Sequence, residues 1–268
     1  MRHNQVRPAN GGATSTLDRS LATREMTIRI GTSGWSYDHW DGVLYPFGLA
    51  AGDRLSRYAS AFDTVELNAS FYHWPAPARF RSWNQRLPEG FTMSVKAPRG
   101  LTHSKRLYSP DVWLERVRDG WHELGDKRAV VLVQLPPTME RDDARLRYFL
   151  ERVPEWMRVA VELRHPSWEH DDVFRLLTEY RAAYCVMSGA DLSCILRATT
   201  DFVYIRLHGP HHDHLYRGYY SDQDLSWWAD RIREWDRAGT DVVAYFNNDG
   251  EGNAVRNALA LKGFLGLS

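Results

Sequence analysis

From residue 27 onward the chain alternates short β-rich runs with longer segments of helical spacing. The strand candidates are TIRIGTS (27–33), TVELNAS (64–70), FTMSVKA (91–97), AVVLVQL (129–135), RVAVELR (158–164), AAYCVMS (182–188), FVYIRLH (202–208) and DVVAYFNN (241–248). Between them stand segments with an apolar face every three or four residues, among them DRLSRYASAF, ARFRSWNQRL, VFRLLTEYR and LSWWADRIREW. NAVRNALALKGFL closes the chain. Only ADLSCILRATTD, after the sixth run, has no clear period. Strands alternating with helices predict an α/β fold with a parallel sheet, and the count of eight predicts a closed (β/α)8 barrel forming one domain over 27–268. A doubly wound open sheet is the rival, but GTSG after the first strand falls short of a dinucleotide fingerprint.

The parity within the strands adds chemistry. Barrel strands send alternate side chains inward and toward the helices. In VAVELR (159–164), Val159, Val161 and Leu163 share one face, while Ala160, Glu162 and Arg164 share the other. Val65 and Leu67 likewise oppose Glu66 and Asn68, Val95 opposes Ser94 and Lys96, and Val133 opposes Gln134. Val203, Ile205 and Leu207 oppose Tyr204, Arg206 and His208. Five strands thus turn polar on their inner side near their carboxyl ends, where barrel active sites sit. Buried ionisable groups need partners or a use.

Composition narrows the reading. The 34 basic and 34 acidic side chains cancel, so no overall field recruits nucleic acid or an acidic membrane. Two cysteines, Cys185 and Cys194, are too few for a disulfide framework and fit a reducing, cytoplasmic compartment. No run of eighteen apolar residues suggests a membrane span. Residues 1–26, rich in Asn, Gly, Thr and Ser, read as a disordered N-terminal extension.

The segments that carry the polar strand ends also carry a resemblance. GTSGWSYDHWDGVLYP (31–46), VELNASFYHWP (65–75), SVKAPRGLTH (94–103), VQLPP (133–137), VELRHPSW (161–168), IRLHGP (205–210) and YFNNDGEGNAVRNA (245–258) together resemble the YecE-like family, domain of unknown function seventy-two. The resemblance spans residues 27 to 267 and implies a TIM-barrel-like fold; it carries no reaction with it.

Glu66, Lys96, Glu162, Arg164, Arg206 and His208 form the central constellation. Catalytic candidates are Glu162, Lys96, Glu66 and His208. Glu162 comes first as a base, because Arg164 beside it favours the ionised carboxylate. Lys96 comes next, and residue type alone does not decide whether it forms a Schiff base. Lys96 and the two arginines exceed the two glutamates by one positive charge, which predicts a site for a phosphate or carboxylate. A structural salt-bridge network plugging the barrel is the competing reading. Asn68, Tyr72, Gln134, Arg164, Trp168, Arg206, Asn248 and Asp249 are the candidate substrate contacts. Trp35, Tyr37, Trp40, Tyr72, Trp74 and Trp168 follow strand ends, where a ring could stack on a sugar or base or simply join the core. Gly250 and Gly252 precede the last helix, whose first N–H groups suit a phosphate unless Asp249 or Asn253 caps it.

No cofactor or metal is assigned. A divalent metal on Glu66, Glu162, His208 and Asp249 is the rival reading, opposed by the cations beside each carboxylate. His211, His212 and His214 lie in a Pro- and Asp-containing loop that reads as solvent-exposed. The expectation is an enzyme, a hydrolase or an isomerase or lyase, acting on a small anionic or sugar-like substrate, phosphorylated ones included. The alternatives are a metal-dependent phosphodiesterase or nuclease acting on nucleic acid, and a non-catalytic ligand-binding protein. No membrane partner is expected, and the oligomeric state is not legible.

Overall fold

A computed structural model describes residues 27–211 and 213–267. The predicted extension over 1–26 lies outside the described residues, as does His212. Eight parallel strands run in chain order: β1 (Ile28–Thr32), β2 (Thr64–Leu67), β3 (Thr92–Lys96), β4 (Arg128–Gln134), β5 (Val159–Glu162), β6 (Ala183–Ser188), β7 (Phe202–Leu207) and β8 (Asp241–Phe246). Each pairs with its sequence neighbour from β2 through β8, and β8 pairs with β1, as a wound barrel requires.

The seam lies between β1 and β2. They share no continuous ladder; the isolated bridge Ser33–Glu66 and the Gly34 N–H donating to the Glu66 carbonyl at 2.8 Å draw them together. At this seam a Cβ on Gly31 would stand 2.4 Å from the Thr64 carbonyl oxygen, so only glycine permits the approach.

Helices cover the outside: α1 (Arg54–Ala59), α2 (Pro77–Arg86), α3 (Asp111–Trp121), α4 (Asp143–Leu150), α5 (Asp171–Glu179), α6 (Asp222–Arg237) and α7 (Asn253–Leu265). Their starts follow local chemistry. Asp142 accepts from the Arg145 N–H at α4, and Ser221 and Asp224 form a reciprocal capping box at α6. The link from β6 to β7 has no α-helix among the described residues. There Thr199 acts as a splint, its hydroxyl donating to the Ala182 carbonyl at 2.7 Å and accepting from the Tyr184 N–H at 2.8 Å. The predicted eightfold alternation therefore holds for the strands and fails for this one connection, the segment without an apolar period.

Side-chain parity is as the sequence predicts. Val65, Leu67, Val95, Val133, Val159, Val161, Leu163, Val203, Ile205 and Leu207 belong to the layer between barrel and helices. Inside the barrel a second apolar cluster includes Val130, Leu132, Ala160, Cys185, Tyr204 and Tyr245. Above it the interior turns polar. No helix among the described residues is long and apolar enough to cross a membrane.

Candidate functional site

The polar layer begins on a floor of hydroxyls. The Tyr245 hydroxyl lies 2.7 Å from Thr64 Oγ1 and 2.9 Å from Ser94 Oγ, with the Tyr204 ring beside it. One step toward the carboxyl ends, Arg206 spans the barrel. Its Nη2 donates to Glu66 Oε1 at 2.8 Å and its Nη1 to Glu162 Oε2 at 2.6 Å, all three side chains being fully buried. Ser33 Oγ and the Tyr204 hydroxyl complete the donors to Glu66, at 2.6 and 2.7 Å.

Glu162 is more heavily engaged still. Gln134 Nε2 and Arg164 Nε both donate to its Oε1 at 2.6 Å, and the Cys185 thiol lies 3.9 Å from Oε2. Burial alone would raise its carboxyl pKa, but the charges of Arg206 and Arg164 above all outweigh burial and hold it well below the usual range. A carboxylate so saturated with donors is a poor proton acceptor. Glu162, the first candidate base in the sequence, thus stands with its oxygens engaged by Gln134, Arg164 and Arg206.

His208 is fully buried with Nε2 3.8 Å from Glu162 Oε1. Asn247 Nδ2 lies 3.2 Å from its Nδ1, so the amide donates there and the ring proton sits on Nε2. Burial first, and the Arg206 charge second, push its pKa well down, so the imidazole is neutral. Its Nε2, Arg164 Nη2 and Arg206 Nε are buried with no hydrogen-bond partner, three donors around one carboxylate.

Lys96 stands at the outer edge of this cluster, 8% exposed where Glu66, Glu162, Arg206 and His208 have no exposure. Its Nζ lies 4.2 Å from the centre of the Phe71 ring and makes no hydrogen bond or ion pair among the described residues. Burial, reinforced by Arg206 and offset in part by Glu162 and Glu66, lowers its pKa from 10.5 to about 7. The surplus cation that the sequence predicts is thus a lysine that sheds its charge near neutrality. Beside it His103, packed edge-on against Phe71, has its pKa lowered to about 4 by burial and by Lys96, so it adds no charge.

A loop covers the mouth. After β7, Gly209 turns the chain at φ +121°, and Tyr216, at φ +67°, places its hydroxyl 3.0 Å from Arg164 Nη1 and its ring edge-on to His208. His211 and His214 are exposed, as predicted for this loop.

Several predicted contacts fall elsewhere. Trp168 is buried in the outer layer with its indole N–H donating to the Met139 carbonyl at 2.8 Å, so it is a packing residue. Asn248 is fully buried and donates to the Gly218 carbonyl and to Asn257 Oδ1, both at 2.9 Å, which fixes the β7 loop from below. Asp249 accepts from the Trp40 indole at 2.7 Å and pairs with His39 at 3.0 Å, apart from the central carboxylates. Neither Asp249 nor Asn253 caps α7; Gly252, in the left-handed region at φ +75°, holds that position. Trp35, Trp40 and Trp74 pack into the outer layer, whereas Tyr37 bonds the Ser33 carbonyl beside Glu66 and Tyr72 stands exposed against Phe71. Asn68 is half-buried at the end of β2, its Oδ1 without a partner.

The proposed metal ligands do not gather. Arg206 stands between Glu66 and Glu162, and Asp249 is committed to Trp40 and His39. Among the described residues no group of three or more His, Cys, Asp or Glu is arranged to hold a metal ion.

Known proteins share this architecture. A DUF72 family protein from Thermotoga maritima MSB8 superposes with a TM-score of 0.80 at 27% identity, covering 90% of this chain and 99% of that one. D-psicose 3-epimerase superposes with a TM-score of 0.50 at 10% identity over 81% of this chain and 94% of its own, which shows a shared fold alone. The UPF0759 protein YunF of Bacillus subtilis (strain 168) is 29% identical over 264 residues, 86% of this chain and 92% of YunF. YecE of Escherichia coli (strain K12) is 28% identical over 142 residues, 53% of this chain and 50% of YecE. The profile described as "Protein of unknown function DUF72" matches residues 29–268, and the chain belongs to that family.

Proposed function

We propose that the barrel mouth is the active site of an enzyme acting on a small, anionic substrate rich in hydrogen-bond acceptors, sugar phosphates included, with the Lys96 amine as its reacting group. The observation that carries this reading is Lys96 itself: a buried amine, poised near neutral pH, with no polar partner. A lysine retained only for structure would gain by pairing with a carboxylate, and both nearby carboxylates are taken by arginines. The partnerless donors on Arg164, Arg206 and His208 support an acceptor-rich ligand, since each buried donor left unmade costs about 1–3 kcal/mol. Arg164, the outermost of the three, has its Nε on Glu162 and its Nη1 on Tyr216, and offers the free Nη2 donor to a phosphate or carboxylate.

Phosphate or sulfate should then stabilise the folded state by about 2.7 kcal/mol at a hundredfold excess over Kd, which is read as a higher melting temperature. Arg164→Ala should abolish that gain. A salting-out effect would survive the substitution, and its survival would sink the reading. A metal-dependent nuclease finds no support in a site where a guanidinium separates the two carboxylates.

A further inference from the structure

The chain is sparing with lysine. Of its 34 basic residues four are lysines, at positions 96, 105, 127 and 262, and the rest are arginines. Three of the four have ordinary surroundings. Lys105 is exposed, Lys127 donates to Asn84 at 2.6 and 3.0 Å, and Lys262 donates to the Ala61 carbonyl at 2.9 Å. Lys96 alone is buried without a polar partner. Where this site uses a permanent cation it has Arg164 and Arg206, residues that cannot lose their proton. An amine at the third cationic position supplies what a guanidinium cannot, a nitrogen lone pair.

Resting on the active-site reading above, we propose that Lys96 Nζ forms a covalent imine with the carbonyl carbon of a small oxo compound that bears a carboxylate or phosphate. The neutral amine attacks the carbonyl carbon, and the C=O π pair moves to oxygen, which takes a proton. Nitrogen loses a proton to give a neutral carbinolamine. The hydroxyl then leaves as water after a second protonation, the nitrogen lone pair closes C=N, and nothing is oxidised or reduced. Solvent water supplies the second proton, and the product is the protonated imine; His208, with its proton on Nε2, and the Arg164 Nη2 donor hydrogen-bond the developing hydroxyl without giving up their own protons. The Phe71 ring, 4.2 Å from Nζ, forms the apolar wall against which a flat imine lies, while burial and the Arg206 charge lower the amine's pKa. Arg164 takes the anionic end, which leaves the carbonyl toward Lys96.

The test is reductive trapping. The full-length protein is incubated near pH 7 with pyruvate, glyoxylate or glyceraldehyde 3-phosphate in the presence of cyanoborohydride, then digested and mapped by mass spectrometry. The expected result is one adduct per chain on the Lys96 peptide, formed more than about tenfold faster than on exposed Lys105, because an amine with a pKa near 7 is far more neutral at that pH. Lys96→Gln should lose that adduct and retain the stabilisation by phosphate that depends on Arg164. Labelling of Lys96 no faster than Lys105 by all three probes would overturn the imine. If phosphate still stabilises the protein in that case, the active-site reading stands with Lys96 as a proton-transfer group; if phosphate fails too, both fall.

Discussion

Arg206 Nη1 donates to Glu162 Oε2 at 2.6 Å, and neither side chain has any exposure to solvent. The pair is stable only as part of its full set of partners, because each ion alone would be a buried charge. Arg206→Met should therefore cost about 3–5 kcal/mol in urea unfolding, the range for stranding a buried partner. A cost below about 1 kcal/mol, as for exposed pairs, would show that the network bears little of the fold.

Lys96 should act in the opposite direction. Unfolded, it holds its proton to about 10.5; folded, it releases it near 7. The unfolded chain binds the extra proton between those values, so wild-type stability gains from this group as pH rises through that window. Lys96→Met should stabilise the protein by a few kcal/mol at about pH 6, and the advantage should shrink toward about pH 10. Unfolding midpoints across that range check it; a pH-independent difference would contradict the burial account.

Glu162 supplies the acid limb. Its folded pKa lies below the ordinary 4.5, so its stabilisation is fully present above that value and is lost as pH falls through the folded one. The deficit of Glu162→Gln relative to wild type should be largest near neutrality and should narrow below about pH 4. Parallel acid-unfolding curves for the two proteins would refute this.

Gly209 anchors the loop over the mouth. At φ +121° an added Cβ would stand 2.1 Å from the Arg217 carbonyl oxygen. Gly209→Ala should displace the 209–220 segment, remove Tyr216 from Arg164 and speed proteolytic nicking there, with a stability loss of about 1–3 kcal/mol. An unchanged nicking rate would show that the loop is held by other contacts.

The strands were legible and the loops were not. A period of two placed Glu66, Lys96, Glu162, Arg206 and His208 inside the barrel, because a strand residue next to outward-facing apolar ones must face the axis. The same count, carried along β1 and β6, would have added Ser33 and Cys185, which touch Glu66 and Glu162. Trp168, Asn248 and Asp249 lie just past strand ends, where no period says whether a side chain turns toward the axis or the helices. Tyr216 gave no signal, since its reach to Arg164 depends on a left-handed backbone at a non-glycine residue. The direction of Glu162 was also beyond sequence: Arg164 beside it indicated an ionised carboxylate, but only the positions of Gln134 and Arg206 show that its oxygens are already occupied.

Glu66 ties the charge cluster to the seam. Its carboxylate receives Arg206, Ser33 and Tyr204, while its backbone carbonyl receives Gly34 across the gap between β1 and β2. The barrel is in this sense a split ring with its clasp set inside the polar mouth. A ligand that tugs on Arg206 pulls through Glu66 on the clasp, so strain from binding would be delivered to one joint and not shared among eight strands. The two strand edges at that joint are where the ring would spring first.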